Sequence, residues 1–334
     1  MAKKGITPIR KQYLEIKRRY PDEILFFRLG DFYETFDNDA EIAARELDIV
    51  LTSRNVAKGT RVPMAGIPHH AAENYISRLI DRGYHVAICE QIGEQPVRGI
   101  FQRKVTRVIT PGTVTDPGML PGDENNYLAC VVKEDQSASH KSEAGRSKRA
   151  GFAYVDITTG EFAVSEFAGK DIDSLVRAEI SRLKPAEVLY PETIDIADDY
   201  KANLTSWPAW RFESGRCEEE LLNHFGVASL DGFGLRGRLM SISASGGIIQ
   251  YLAETQPASL NLFSSVKTYD LSEFMHLDSA TRRNLELTST IRGAKTGGTL
   301  LDNLDRTVTS MGKRLIHDWL SKPLLDVERI KVRQ

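Results

Sequence analysis

The stretch Ile24-Leu25-Phe26-Phe27-Arg28-Leu29-Gly30-Asp31-Phe32-Tyr33-Glu34-Thr35-Phe36 decides how the first part of the chain folds. The apolar run at 24–27 reads as a strand, Gly30-Asp31 as a turn, and 32–36 as a second strand. An extended chain alternates its side chains, so Phe32 and Glu34 fall on one face. An aromatic ring beside a carboxylate is unusual for a core strand. A ring with an apolar face can slide between base pairs while an adjacent acceptor bonds to a base edge, which would make the two a wedge that probes a DNA step. The competing reading makes Phe32 and Phe36 core residues and Glu34 a solvated position at a sheet edge. Phe-x-Glu alone does not choose between them.

Working outward, residues 7–19 carry Ile9, Tyr13, Leu14 and Ile16 at helical spacing, and Tyr20-Pro21-Asp22 ends that helix before the first strand. Beyond Phe36, Asp37 or Asn38 is placed to cap a helix through Ala40, Ala43, Ala44 and Leu47. A strand at 49–52, a loop at 53–66, a helix from about Ala71 to Arg82 and a strand at 86–91 follow. Strands and helices mix, which predicts a small α/β domain. The segment 110–123 holds three Pro and three Gly and reads as a linker. Behind it, strands at 126–132 and 151–157 flank a polar insert, 133–149, that contains Ser137, Ser139, Ser142 and Ser147 and reads as a mobile loop. Thr158-Thr159-Gly160 closes a hairpin into a strand at 161–167, then a helix at 172–183 and a strand at 187–190 complete a mixed sheet. A helix at 239–254 leads to a boundary at Gln256-Pro257, after which the chain turns helical. There Ser310 is placed to cap a helix whose stripe Met311, Leu315, Ile316, Trp319 and Leu320 reads as core and ends at Pro323.

The chain has 334 residues, 41% hydrophobic and 27% charged, enough for two or three domains. The formal net charge is -2, but residues 1–110 hold 18 Lys and Arg against 14 Asp and Glu, a net of +4 that leaves -6 for the remainder. The asymmetry permits a polyanion partner for the N-terminal part. Cys89, Cys130 and Cys217 are scattered, without a Cys-x-x-Cys pair, which argues against a zinc site and a disulfide framework. No apolar leader opens the chain and no run of about 18 apolar residues follows, so a cytoplasmic protein with no membrane partner is expected. Residues 327–334 read as a helix without a stop signal, so a fragment of a longer protein is expected.

Several segments of the first domain are read together: Gly30-Asp31-Phe32-Tyr33-Glu34, Leu51-Thr52-Ser53-Arg54, Pro63-Met64-Ala65-Gly66-Ile67-Pro68-His69-His70, Ala87-Ile88-Cys89-Glu90-Gln91, and Arg103-Lys104-Val105-Thr106-Arg107 before Thr110-Pro111-Gly112-Thr113. In this order they closely resemble the MutS family of DNA mismatch-repair proteins. The resemblance continues through Tyr154-Val155-Asp156-Ile157-Thr158-Thr159-Gly160-Glu161-Phe162, similar to the family's connector, and through 277–286, similar to its core. It implies a multidomain α/β chain: a mixed α/β mismatch-binding domain at 1–112, a linker at 113–125, a ribonuclease H-like connector at 126–254, and the start of a helical core or lever domain at 255–334. It also implies that Phe32 stacks on a mispaired base at a kink while Glu34 hydrogen-bonds that base. Mismatched double-stranded DNA, a MutL-like protein and a second copy in a homodimer are the implied partners, in a bacterial, nucleoid-associated setting.

The cations available for phosphate contact in that domain are Arg54, Lys58, Arg61, Arg103, Lys104 and Arg107, each of which also reads as an ordinary surface charge. Met64, Gly66, Ile67, Pro68 and His69 are expected near the DNA by resemblance, because Gly66 lets backbone approach a groove and Pro68 stiffens the loop; the alternative is a rigid buried loop. Asp156 on a strand ahead of a Gly-containing hairpin also resembles the opening of ribonuclease H-like nucleases, so a metal-dependent nuclease is the rival function; near its end the third strand offers Val164, Ser165 and only Glu166 as a further carboxylate. No Gly-x-x-x-x-Gly-Lys-Ser/Thr occurs, and Ala294-Lys295-Thr296-Gly297-Gly298 lacks the required spacing. No catalytic residue, metal or cofactor is therefore expected in this chain. ATP and magnesium are expected only with the family's ATPase domain.

Overall fold

A computed structural model describes residues 7–57, 60–97, 100–120, 122–134, 148–196, 202–275, 277–292 and 297–333. The chain divides into two compact units, 1–119 with 253–258, and 120–252 with 259–334.

The first unit opens with α1 (Pro8–Lys17), whose N-cap Thr7 accepts from the Arg10 N–H and whose first position is the helix-compatible Pro8. Then come β1 (Ile24–Leu29), β2 (Phe32–Phe36), α2 (Asp37–Leu47), β3 (Thr52–Ala57), β4 (Thr60–Pro68), α3 (Ala72–Ile80), β5 (Val86–Val97) and β6 (Ile100–Ile109). The strands form one sheet in the order β3-β4-β2-β1-β5-β6, parallel between β1 and β5 and antiparallel at every other junction. Because β2 is hydrogen-bonded on both sides, its register is fixed twice: Phe32 lies opposite Leu29 and Pro68, and Glu34 opposite Phe27 and Gly66. Tyr13 and Ile16 of α1 pack with Leu25, Phe27, Phe36, Cys89 and Val105. Helix α2 packs on β2 and β4 through its buried side, Ala40, Ala43 and Leu47.

A buried carboxylate ties these pieces together. Asp39 Oδ2 accepts from the Leu25 N–H at 3.0 Å and from the Tyr13 hydroxyl at 3.2 Å, while Oδ1 pairs with Lys17 Nζ at 2.9 Å. The Tyr13 hydroxyl in turn accepts from the Phe36 N–H at 3.3 Å. Burial, reinforced by the nearby Asp39 charge, raises the Tyr13 pKa far above its ordinary value and keeps the hydroxyl a donor.

Three expectations for this unit change. Neither Asp37 nor Asn38 caps α2: the cap position is Phe36, without a side-chain bond, because the Asp37 carboxylate is taken by Arg10 of α1. In place of the expected strand at 49–52 and loop at 53–66 stands the hairpin of β3 and β4; β3 buries Val56 alone and so shows no apolar alternation. Strand β6, which carries Arg103, Lys104 and Arg107, was not expected.

The second unit contains β7 (Tyr127–Lys133), β8 (Lys148–Asp156), β9 (Glu161–Gly169), α4 (Ile172–Leu183), β10 (Glu187–Pro191), β11 (Asn203–Trp207), α5 (Ser214–Phe225), α6 (Leu239–Thr255, counted here to Leu252), β12 (Lys267–Thr268), α7 (Ser279–Asn284), α8 (Leu300–Leu304), α9 (Ser310–Ser321) and α10 (Val327–Arg333). Its sheet runs β11-β10-β7-β8-β9-β12: β7, β8 and β9 form an antiparallel meander, β10 and β11 lie parallel to β7, and β12 lies parallel to β9. Both faces are covered. Leu128, Cys130 and Val132 point to α6 residues Ile242, Ile248 and Ile249, while Ala129 and Val131 point to Ile172, Val176 and Ile180 of α4. That double burial explains why β7 is apolar at nearly every position. At Gly151 a Cβ would stand 1.9 Å from the Met240 carbonyl oxygen, so glycine is what lets α6 meet β8.

The three cysteines are free and buried. The serines of the polar insert, Ser137, Ser139, Ser142 and Ser147, lie outside the described residues. Helix α9 is capped by Thr309, not Ser310, through a bond from the Gly312 N–H at 3.1 Å. Its stripe is not core in this chain: Met311, Leu315 and Trp319 are exposed, and Ile316 and Leu320 half-buried. Among the described residues no helix is long and apolar enough to cross a membrane.

Removing one partner of a buried, hydrogen-bonded ion pair is costly. Asp39→Ala should therefore lower the unfolding free energy of the first unit by about 3 kcal/mol, read as a fall in the urea midpoint, with Asp39→Asn falling less because it still accepts from Leu25. A midpoint unchanged by Asp39→Ala would mean that the network does not hold the unit together.

Candidate nucleic-acid interface

The turn into β2 uses Gly30 at φ +60°, a left-handed conformation that glycine adopts without strain. Phe32 then opens the strand 47% exposed, whereas Tyr33 and Phe36 are buried. The core alternative thus holds for Phe36 and fails for Phe32. Folding leaves that ring available, although burying it would contribute about 1.5–3 kcal/mol.

Glu34 stands on the same face, as the alternation requires. Opposite Glu34 lies Gly66, where an added Cβ would sit 3.5 Å from Glu34 Cγ and 3.9 Å from Phe32 Cδ1. A Cβ at Gly66 would thus be in ordinary van der Waals contact with both side chains. Arg54 on β3 donates through Nη1 to Glu34 Oε2. On the intervening strand β4, Arg54 lies opposite Val62 and Glu34 opposite Gly66, so the two side chains meet diagonally across it. On the other face, the Tyr33 hydroxyl donates to Glu90, its ring stacks with Phe26 at 6.2 Å, and Arg28 lies over it at 5.5 Å. Burial and then Glu90 push the Tyr33 pKa up to about 12, so it remains a donor at neutral pH.

The segment 64–69 is not a loop. Met64, Gly66, Ile67 and Pro68 belong to β4, paired beside β2 in the sheet, and His69 turns outward beyond it, with its N–H and Nδ1 at 2.9 and 3.1 Å from the Asp31 carbonyl. Ile67 lies opposite Tyr33 and is 1% exposed, which removes it as a DNA contact. Met64 packs against the core near Phe36, Pro68 is half-buried opposite Phe32, and His69 is exposed beside it.

The expected cluster of cations comes apart. Arg103 lies 4.9 Å over the Phe27 ring and donates to the Arg28 carbonyl at 2.7 Å, the Phe101 carbonyl at 3.0 Å and Gln12 Oε1 at 3.1 Å. It fastens β6 to β1 and is not a surface charge; burial pulls its pKa down. Strand alternation sends Lys104, exposed and opposite Glu90, to the other face. Arg107 pairs with Asp116 at 3.4 Å. Arg61 is exposed on β4, and Lys58 lies outside the described residues.

The carboxylates of the nuclease reading have structural roles. Asp156 Oδ1 accepts from the Thr158 N–H at 2.8 Å and its hydroxyl at 2.6 Å, closing the hairpin turn. Glu166 Oε2 accepts from the N–H groups of Met240 and Ser241 at 3.0 and 3.3 Å, at the start of α6. No group of three or more His, Cys, Asp or Glu able to hold a metal ion occurs among the described residues. The nuclease reading finds no support. Of the segment 294–298, residues 294–296 lie outside the described residues.

Family models described as MutS domain I, MutS domain II and MutS domain III match residues 7–118, 126–264 and 280–334, in that order. Among curated relatives, the chain is 48% identical over 335 residues to the DNA mismatch repair protein MutS of Halothermothrix orenii, with 98% of this chain and 36% of the relative covered. It is 46% identical over 336 residues to that of Symbiobacterium thermophilum and 44% over 332 residues to that of Dehalococcoides mccartyi, each with 98% of this chain and 37% of the relative covered. The chain thus spans little more than a third of the length of these relatives. Three successive domain models and near-complete coverage of the chain at this identity place it in the MutS family.

Proposed function

We propose that this chain recognises mismatched DNA in post-replicative repair, with Phe32 as a stacking wedge and Glu34 as the adjacent discriminating acceptor. The observation that carries the reading is the half-exposed Phe32 ring on a strand whose register is fixed on both sides, with Glu34 beside it over Gly66. A rigid sheet holding an exposed aromatic ring suits insertion at a step already weakened by mispairing, where kinking costs less. Residues 1–112 form the mismatch-binding domain, 113–125 the linker, 126–254 the connector and 255–334 the start of the core domain. The meander β7–β9 followed by parallel β10 and β11 supports a ribonuclease H-like fold for the connector. In the whole protein, ATP and magnesium act through a region outside these residues, a second copy completes a clamp, and the connector faces a MutL-like partner in the bacterial cytoplasm.

Stacking on a base is worth roughly 1–3 kcal/mol, while phosphate attraction does not involve the ring. Phe32→Ala, made in the protein expressed from its complete reading frame, should lower the ratio of mismatched to matched duplex affinity about tenfold and leave most matched binding intact. Fluorescence anisotropy at one salt concentration measures both, and an unchanged ratio removes the wedge.

Arg61→Glu and Lys104→Glu should each weaken the two duplexes by a similar factor. Each lost phosphate contact lowers the slope of log K against log salt by about 0.9, so a titration between low and physiological salt checks the assignment. Purified chain incubated with magnesium or manganese should leave nucleic acid uncut and ATP unhydrolysed. Cleavage abolished by Asp156→Asn would revive the nuclease.

A further inference from the structure

An acceptor discriminates between base edges only when its oxygen stands at a defined place and its charge does not repel phosphates indiscriminately. A glutamate side chain alone does not meet the first condition, because it rotates about three torsions. Arg54 supplies both conditions. It donates to Oε2 of Glu34 and leaves Oε1 without a bond from the described residues. The carboxylate side chain is 16% exposed and the guanidinium side chain 40%, so the cation lies toward solvent. The two side chains meet diagonally across β4, where Glu34 lies opposite Gly66 and Arg54 opposite Val62.

We propose that Arg54 is a positioning residue for mismatch discrimination: it holds the Glu34 carboxylate by Oε2, keeps Oε1 for a base donor, and compensates the charge that Glu34 would otherwise present to phosphates. The inference rests on the wedge reading of Phe32 and Glu34. It moves Arg54 from the phosphate contacts, where its residue type placed it, to the apparatus that orients the acceptor. A guanidinium bonded to a carboxylate adds little net attraction for a phosphate, but it fixes geometry.

The test measures mismatched and matched duplex affinities for wild type, Phe32→Ala, Glu34→Ala, Arg54→Ala, Arg54→Lys and the double variant Glu34→Ala/Arg54→Ala, all in the protein from its complete reading frame. Arg54→Ala should reduce the mismatch-to-match ratio by about as much as Glu34→Ala, and adding it to Glu34→Ala should reduce the ratio no further. Arg54→Lys, which keeps the charge without the planar fork, should fall between wild type and Arg54→Ala, and it stands in if Arg54→Ala does not fold. An unchanged ratio, with both duplexes weakened alike and a salt slope lower by about 0.9, would make Arg54 a phosphate contact and overturn the proposal. Equal effects of Arg54→Ala on the ratio with and without Glu34 would overturn it as well. If Phe32→Ala leaves the ratio untouched, the wedge reading itself fails. If Phe32→Ala and Glu34→Ala both lower the ratio and Arg54→Ala does not, only the positioning role fails.

Discussion

Asp39 sets the first unit. One carboxylate, buried at the start of α2, collects a backbone N–H from β1, a hydroxyl and an ammonium group from α1, and through Tyr13 a link to the last residue of β2. Unpaired, it would carry a severe desolvation penalty, so the arrangement is stable only when α1, β1 and α2 are all in place. The Tyr13 ring adds edge contacts with Phe27 at 5.6 Å and Phe36 at 4.9 Å. The far end of β2 is thereby clamped, and the near end can hold an aromatic ring in solvent without unravelling.

The local features were legible in the sequence, and those that depend on register were not. Alternation is a property of neighbouring residues, so the shared face of Phe32 and Glu34 could be read directly, as could the β8–β9 hairpin from Thr158-Thr159-Gly160. Arg54 is 20 residues from Glu34, and their meeting depends on how β3, β4 and β2 align, which no periodicity reports. The same holds for Arg103, which looked like a surface charge beside Lys104 until the antiparallel pairing of β5 and β6 placed it over Phe27. Asp39 is one of two acidic residues in the first turn of α2, and nothing in its sequence neighbourhood singles it out. Its burial follows from what α1 brings to it, and the Tyr13 that reaches it lies 26 residues earlier in the chain.

In the second unit the sequence gained from double burial, because β7 is apolar on both faces and stands out as a strand. The reasoning that served there misled at α9. An apolar stripe at helical spacing is core wherever a partner element covers it, yet Met311 and Leu315 remain 80% and 50% exposed. Periodicity identifies the face of a helix that seeks cover, and says nothing about what supplies it.

The double pairing of β2 has a consequence for how this segment can vary. Side chains repeat every two residues, so inserting or deleting a single residue at the Gly30-Asp31 turn would exchange the two faces of β2, turning Tyr33 and Thr35 to the side that Phe32 and Glu34 now occupy and Phe32 and Glu34 to the side where Tyr33 and Thr35 are buried. Neither neighbour could absorb the slip, since β1 and β4 hold β2 from opposite edges. The length of this turn is therefore under the same constraint as the identity of the residues it presents, and variation among related chains should favour substitutions here over gaps.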